Sequence, residues 1–376
     1  MNEKHPFMHF SVIPDYRQEG KVNHKLSDII LLTICAVISG QDDWDGIADF
    51  GDNRLEFLKR FGDFTQGIPS KSTIARTMGM INPVTLQKCF IALMKDCCQL
   101  LDGEVIAIDG KTVRGSYDKA KDKKAIHMVN AFATKNGVSL GQEKVNSKSN
   151  EITAIPKLLD LLDIKNCLVT IDAMGCQKKI AQKILDKDAD YLLAVKGNQG
   201  NLNKAFKDYF KMSMLQKYDG SSYSTQEISR GRKETRLALV NEDLSVLGDL
   251  ESQWPELKSM GIVVSIRQTD IEAATEDDLA IRFYISSKAL DARTLLESTR
   301  SHWLVESMHW SLDTAFREDN SRIRIDERAE SFARIRQMSL NFLKNEKSFK
   351  ASVKRKRMKC AMNESYLLVV LASLST

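Results

Sequence analysis

The sequence predicts an α/β protein carrying an all-helical segment in front of its mixed α/β part. Three observations point there. Apolar residues recur at three- and four-residue spacing from Asn23 to about Leu101, short β-rich runs begin at Glu104, and strands and helices alternate from that point on. At 376 residues the chain exceeds the usual single-domain length, so two or more packed units are expected. A composition of 43% hydrophobic and 28% charged residues is that of a soluble globular protein.

In the leading segment, 1–101, Leu26, Ile29, Ile30, Ile34, Val37 and Ile38 fall on one helical stripe, with Ser27 available as a cap. Shorter helical stretches follow at Trp44–Phe50, Arg54–Phe61 and Pro83–Leu101. Between them Ile68–Arg76 reads as a turn into a short helix. Its polar, basic start suits nucleic-acid phosphates, and equally a plain capped helix inside a bundle.

Residues 102–212 open the mixed part. Val105–Ile108 is a strand that stops at Asp109; Ala125–Thr134 and Val138–Val145 are two strands joined across Lys135-Asn136-Gly137, a hairpin signal. Helix Ile155–Leu162, strand Cys167–Ile171, helix Lys178–Asp186 and strand Asp190–Val195 follow, then helix Leu202–Met212. Three strands, helix, strand, helix, strand is the order of a ribonuclease-H-like mixed sheet. A β-rich insertion occupies 213–290, with Thr235–Val240, Gly261–Gln268 and Ala280–Ser286 as its best strands. Residues 291–345 return to helix, the last part of the core; Asp291–Phe316 offers Leu295, Leu296, Trp303, Val305 and Leu312 for burial. A basic segment, 346–376, closes the chain, and eight Lys or Arg fall within Lys344–Lys359. That run suits counterion release on a duplex, or a solvated helix face.

A net charge of +5 permits a polyanionic partner without demanding one. Seven scattered cysteines, odd in number, read as reduced thiols, and the adjacent pair Cys97-Cys98 lacks the ligand spacing of a zinc site. The N-terminus has no apolar signal core and no apolar stretch is long enough for a bilayer, so a cytoplasmic, nucleoid-associated protein without a membrane partner is expected.

The chemistry-bearing positions are acidic. Asp109 and Asp172 each end an apolar strand, where side chains of neighbouring central strands converge. Two carboxylates there repel unless a cation lies between them, and hard oxygens suit Mg²⁺ or Mn²⁺. Glu306, among Trp303, Val305, Met308 and Trp310, is the best third acid, because a carboxylate buried in such company is costly unless it binds something. Asp313, Glu318 and Asp319 compete for that place, and strand-end aspartates also serve as turn formers and caps. Such a set suits two-ion phosphoryl transfer, one ion activating a hydroxyl and the other stabilising the departing oxygen.

Five ordered segments carry a resemblance: Ala107–Ser116, Lys148–Pro156, Thr170–Cys176, Leu193–Gln199 and His302–Asp319. Together they resemble the H-repeat-associated proteins, a bacterial insertion-sequence transposase group with a DDE catalytic domain, from about His24 to the C-terminus. The resemblance implies a transposase that cuts and rejoins DNA at the ends of a mobile element, with Asp109, Asp172 and Glu306 as metal ligands. It also implies double-stranded DNA as partner and a homodimer on the DNA ends. In related transposases a Tyr, an Arg and a Lys flank the glutamate; here Thr299, His302 and Asp313 occupy those places, which argues against their hairpin route.

Lys111 and Arg114 after the first aspartate, and Lys196, Asn198 and Gln199 after the last core strand, are expected to contact phosphates. Arg230, Arg232 and Arg236 cluster in the insertion, and His302 and Trp303 stand beside the glutamate. The arginines also suit a solvated face, and Trp303 and Trp310, which could stack on an unpaired base, suit core packing better. Two rival readings stand beside the transposase: a transposase-derived DNA-binding protein that no longer cuts, and a ribonuclease-H-like nuclease.

Overall fold

The computed structural model describes residues 6–118, 122–146, 149–211, 218, 220–229, 232–268 and 279–374. It is a mixed α/β structure, and its described residues form nine strands and thirteen helices. The order β1 (Val105–Val113), β2 (Ile126–Ala133), β3 (Val138–Lys144), α6 (Glu151–Leu161), β4 (Leu168–Ile171), α7 (Lys178–Leu185), β5 (Asp190–Val195) is ribonuclease-H-like. The chain divides into two compact units: one of 1–99, 110–150 and 306–376, the other of 100–109 and 151–305.

In the first unit, α1 (Leu26–Ile38) is buried on nearly every side, as its predominantly apolar sequence from Ile29 on favours. It packs against α2 (Trp44–Asn53), α4 (Lys71–Met80) and α11 (Arg328–Asn345). Ser27 does not cap α1: Lys25 holds the N-cap position with no side-chain bond. Asp28 instead reaches across the bundle to accept from Asp63 N at 3.2 Å, so a tertiary contact marks the helix start. The remaining leading helices are α3 (Leu55–Leu58) and α5 (Pro83–Cys97), and Ser70 and Asn82 cap α4 and α5 as their residue types favour.

Helix α11 is buried along almost its whole length, Arg334 and Arg336 included. Arg334 Nε donates to Gln87 Oε1 at 2.9 Å and its Nη1 to Glu330 Oε1 at 2.6 Å. Asn341 pins β3 by accepting from Ser139 N at 2.9 Å and donating to Ser139 O at 2.8 Å. β2 and β3 form the expected antiparallel hairpin, with Gly137 at φ +72° in the turn, a conformation glycine adopts without strain. Helices α10 (Leu304–Ala315, from Glu306 on), α12 (Val353–Met362) and α13 (Glu364–Ala372) complete this unit.

In the second unit the start of β1 pairs parallel with β4, and β4 parallel with β5. The inserted strands β6 (Ser221–Ser229), β7 (Arg232–Asn241), β8 (Ser259–Gln268) and β9 (Leu279–Ser286) continue that sheet. β9 pairs antiparallel with β5, and β8, β7 and β6 follow in turn, so the insertion extends the core sheet instead of standing apart from it. Helix α8 (Gly200–Tyr209) precedes the insertion, and α9 (Ala292–His302), capped by Asp291, lays Leu295 and Leu296 onto the sheet with Val105, Leu168, Val240 and Val263. The single helix expected over Asp291–Phe316 breaks at Trp303 into α9 and α10. All seven cysteines are free thiols. No helix among the described residues is long and apolar enough to cross a membrane.

Candidate active site

β1 does not stop at Asp109 but runs on to Val113. Its pairing with β4 ends at Ile108↔Ile171, so Asp109 and Asp172 are the next residues on two adjacent parallel strands of the second unit. Neighbouring strands lie about 4.8 Å apart, close enough for two ionised carboxylates to repel each other strongly. Both aspartates are half-buried. Asp172 also caps the 3-10 turn Ala173–Gly175: its Oδ1 accepts from Met174 N at 3.0 Å and Gly175 N at 3.4 Å. The turn-forming and the chemical readings of this residue are therefore compatible, since the cap uses one oxygen.

The loop behind Asp172 is held by residues after β5. Asn198 Nδ2 donates to Ala173 O at 2.5 Å and Gln199 Nε2 to Cys176 O at 2.8 Å, while Lys196 is exposed. Asn198 and Gln199, expected on phosphates, thus brace the aspartate's loop. Thr170, two residues before Asp172 and on the same strand face, shares a 2.9 Å hydrogen bond with His302 Nδ1. Burial holds His302 below the usual histidine range, against the opposing pull of the Asp172 charge, so the ring is neutral at neutral pH.

Beside α9 the second unit has a cleft of about 520 Å³ lined by Arg236, Arg282, Tyr284, Arg300 and Trp303 among others. Trp303 is exposed, with the Arg282 guanidinium 5.0 Å from its ring centroid. Arg236 pairs with Glu227 at 3.1 Å and Glu234 at 2.5 Å, and Arg300 binds Glu227 as well. Arg230 lies outside the described residues, as does the side chain of Arg232. Thr170, Arg282 and Arg300 carry no signal in the sequence; strand pairing brings the first two to the site and the packing of α9 brings the third.

In the first unit Glu306 sits in the first turn of α10 and is exposed, not the buried acid expected from its apolar neighbours. The helix buries Val305, Met308 and Leu312 on the other side and leaves Trp310 out. The three competing acids have another occupation. Lys111 Nζ, buried, lies 2.7 Å from Asp313, 3.1 Å from Glu318 and 3.3 Å from Asp319. Burial pulls its ammonium down, but Glu318 and Asp313 outweigh this and hold it above the usual lysine range. Arg114 is exposed; its backbone N donates to Asp319 Oδ1 at 3.1 Å. Lys111 is therefore a buried ion-pair centre in this structure, whereas Arg114 presents its guanidinium to solvent.

Two aspartates with hard oxygen donors match the ligand chemistry of Mg²⁺ or Mn²⁺. Among the described residues no group of three or more His, Cys, Asp and Glu stands together as a metal site. In the second unit Asp109 and Asp172 are the neighbouring carboxylates that could hold a divalent ion.

Residues 100–342 match the family model described as "Transposase DDE domain". The chain belongs to the DDE transposase family. Residues 7–94 match a second model, "DDE_Tnp_1-associated", over the leading helices. This family member is 55% identical over 368 residues to "Putative transposase YncI" of Escherichia coli O157:H7, covering 98% of this chain and 94% of that one. It is 50% identical over 365 residues to "H repeat-associated putative transposase YhhI" of Escherichia coli (strain K12), covering 97% of each. Among solved structures, the piggyBac transposase synaptic complex with hairpin DNA aligns at 10% identity and a TM-score of 0.43, over 99% of this chain and 77% of that one.

Proposed function

We propose that this DDE transposase cleaves DNA strands at the ends of its own element and joins them to a target, with Asp109, Asp172 and Glu306 as its carboxylate triad. The observation that supports the reading is the register that sets Asp109 and Asp172 side by side on β1 and β4 in a chain of this family. Glu306 enters through the motif resemblance, and its exposure in the first turn of α10 leaves the carboxylate accessible. Divalent Mg²⁺ or Mn²⁺, when bound, supplies Lewis acidity at the phosphoryl oxygens and a more acidic attacking hydroxyl.

The chain's own residues do the rest. Asp109 and Asp172 present oxygens from a rigid sheet, and Asn198 and Gln199 hold the Asp172 loop against displacement. Neutral His302 adds no charge beside Asp172 and fixes its ring on Thr170. Lys196 and Arg114, both exposed, neutralise backbone phosphates, and Trp303 with Arg282 forms a flat cationic surface for DNA. The partner is double-stranded DNA, bound by a homodimer that pairs the two ends.

The test is cleavage of the DNA flanking the protein's own gene in Mg²⁺, Mn²⁺ or EDTA, resolved on a denaturing gel. Metal-dependent cuts at the element boundary, lost in Asp109→Asn, Asp172→Asn and Glu306→Gln with duplex binding kept, are expected. Any of the three variants cutting at the wild-type rate refutes that residue's role. Specific retention of the DNA with no cutting by the wild type would replace the proposal with a silent DNA-binding descendant.

A further inference from the structure

The eight basic residues of Lys344–Lys359 do not form one solvated face. Lys356 and Arg357 are buried and structural: Lys356 Nζ donates to Leu343 O at 2.9 Å, and Arg357 donates to Val37 O at 3.0 and 2.8 Å and to Asp42 Oδ1 at 2.7 Å. Lys344, Lys347, Lys350 and Lys354 behave differently. They rim a cavity of about 590 Å³ between α10, the end of α11 and the start of α12, all within the first unit. No described carboxylate lies within ion-pair distance of any of the four.

Three features of this cavity call for an anion. First, the acid on its wall, Glu346, is already engaged, by Tyr366 Oη at 2.7 Å, Phe349 N at 3.0 Å and Lys356 at 3.1 Å. Second, burial first, and then the charges of Lys347 and Lys356, hold the Lys344 ammonium below the usual lysine range, so two further cations stand near it. Third, the ten-residue helix α12 begins against electrostatic preference. Its first turn holds no acid, and Lys354 stands where the positive end of the helix dipole favours a negative group.

On the same wall Trp310 leaves its indole 67% exposed, unusual for so large an apolar surface. Thr314 and Ser311 beside it turn their hydroxyls back onto α10, bonding Trp310 O at 2.8 Å and Ser307 O at 2.9 Å. The indole is therefore flanked by apolar and cationic groups rather than by free hydroxyls. Trp310 is also four residues from Glu306, one turn along the same face of α10.

We propose that this pocket is a docking site for the sugar-phosphate backbone of double-stranded DNA: Lys347, Lys350, Lys354 and Lys344 take the phosphates, and Trp310 packs on a deoxyribose. The pocket deepens the transposase reading by naming a contact one helical turn from Glu306, and it rests on that reading only for the identity of the polyanion. A lysine cluster is the apt choice, since an ammonium meets phosphate as a point charge with no demand on orientation.

The experiment measures binding of a fluorescent duplex without element ends by anisotropy across a KCl series. The full-length wild type is compared with Lys347→Gln/Lys350→Gln/Lys354→Gln and with Trp310→Ala. The three lysines are exposed, so their replacement leaves the core untouched. Each lost phosphate contact lowers the salt slope by about 0.9, so the triple variant should lose about 2.7 from the wild-type value. Trp310→Ala should weaken binding severalfold with the slope unchanged. A triple-variant slope within about 0.5 of wild type, under the same counterion relation, overturns the proposal, and so does a wild type that does not bind duplex. Inorganic phosphate, at matched ionic strength, should change Trp310 fluorescence far less than duplex does; an equal change assigns the pocket to free phosphate and overturns the DNA assignment. Because no cutting is scored, a slope loss in a protein that never cleaves retires the cleavage reading alone, and cleavage with an unaltered slope retires the pocket alone.

Discussion

Replacing Lys111 by methionine keeps most of the side chain's volume and removes its charge from among three carboxylates. The three acids do not suffer equally. Asp319 keeps a hydrogen bond from Arg114 N and a contact with its guanidinium at 3.5 Å, and Asp313 is about one-third exposed. Glu318 is 2% exposed, and the cation left near it is Arg336 at 3.9 Å. Removing one partner of a buried ion pair costs about 3–5 kcal/mol; with the damage concentrated on Glu318, the lower end, about 3 kcal/mol, is expected. Urea unfolding should show a lower midpoint at unchanged slope, and Lys111→Met/Glu318→Gln should recover about half of the loss. Lys111→Met within about 1 kcal/mol of wild type, or a double variant with no recovery, would refute the reasoning. The pH dependence has a definite sign. A lysine whose folded pKa is raised contributes fully below its usual 10.5 and loses that contribution only as pH climbs through the raised value, so this centre is constant across neutral pH.

His309, buried and within 3.1 Å of Asn130 Nδ2, is pushed down to about 3 by burial first and by the charges of Lys111 and His127 next. Its depressed pKa means the unfolded chain takes up the proton first, so stability falls as pH drops from 6.5 toward 3. About 2 kcal/mol should be lost by about pH 5, and His309→Gln should flatten that slope in urea titrations. Gly115→Ala should cost about 2–3 kcal/mol, read as a lowered melting temperature. Its Cβ would stand 2.7 Å from the Asp319 carbonyl oxygen and closer still to that of Ser321, and backbone cannot step aside as a side chain can. Asn198→Ala should slow cleavage about tenfold with duplex affinity unchanged, the loss of one hydrogen bond behind Asp172. Asn198→Asp should not rescue it, because a carboxylate facing Ala173 O repels.

What was legible in the sequence is what short range decides. The helix α1, the Lys135–Gly137 turn and the strands leading to Asp109 and Asp172 all follow from spacing and residue type, and the structure has them, with α1 buried all round instead of along one stripe. The break at Trp303 was not legible: Leu295, Leu296, Val305 and Leu312 fit one continuous stripe, and all four are buried, but across two helices. Trp303 and Trp310 are residue types that favour core packing, yet both are exposed. The basic C-terminal segment misled for a similar reason. Lys356 and Arg357 are polar by type, yet find partners as distant in sequence as Val37, which no local pattern reveals. Lys111 looked like a phosphate ligand because it follows an aspartate; three acids two hundred residues later claim it instead.

The route of the chain has a consequence for its birth. Residues 1–99 and 306–376 belong to the same unit, and α1 is covered by α11, which begins only at Arg328. At translation rates of about 5–20 residues per second, α1 waits on the order of tens of seconds after leaving the ribosome before its cover exists. Throughout that interval α1 has α2 and α4 to pack on but lacks the helix that covers its remaining face, so the nascent chain is a natural client for holdase chaperones. A copy truncated anywhere ahead of α11 would lack that cover permanently, however intact its Asp109 and Asp172.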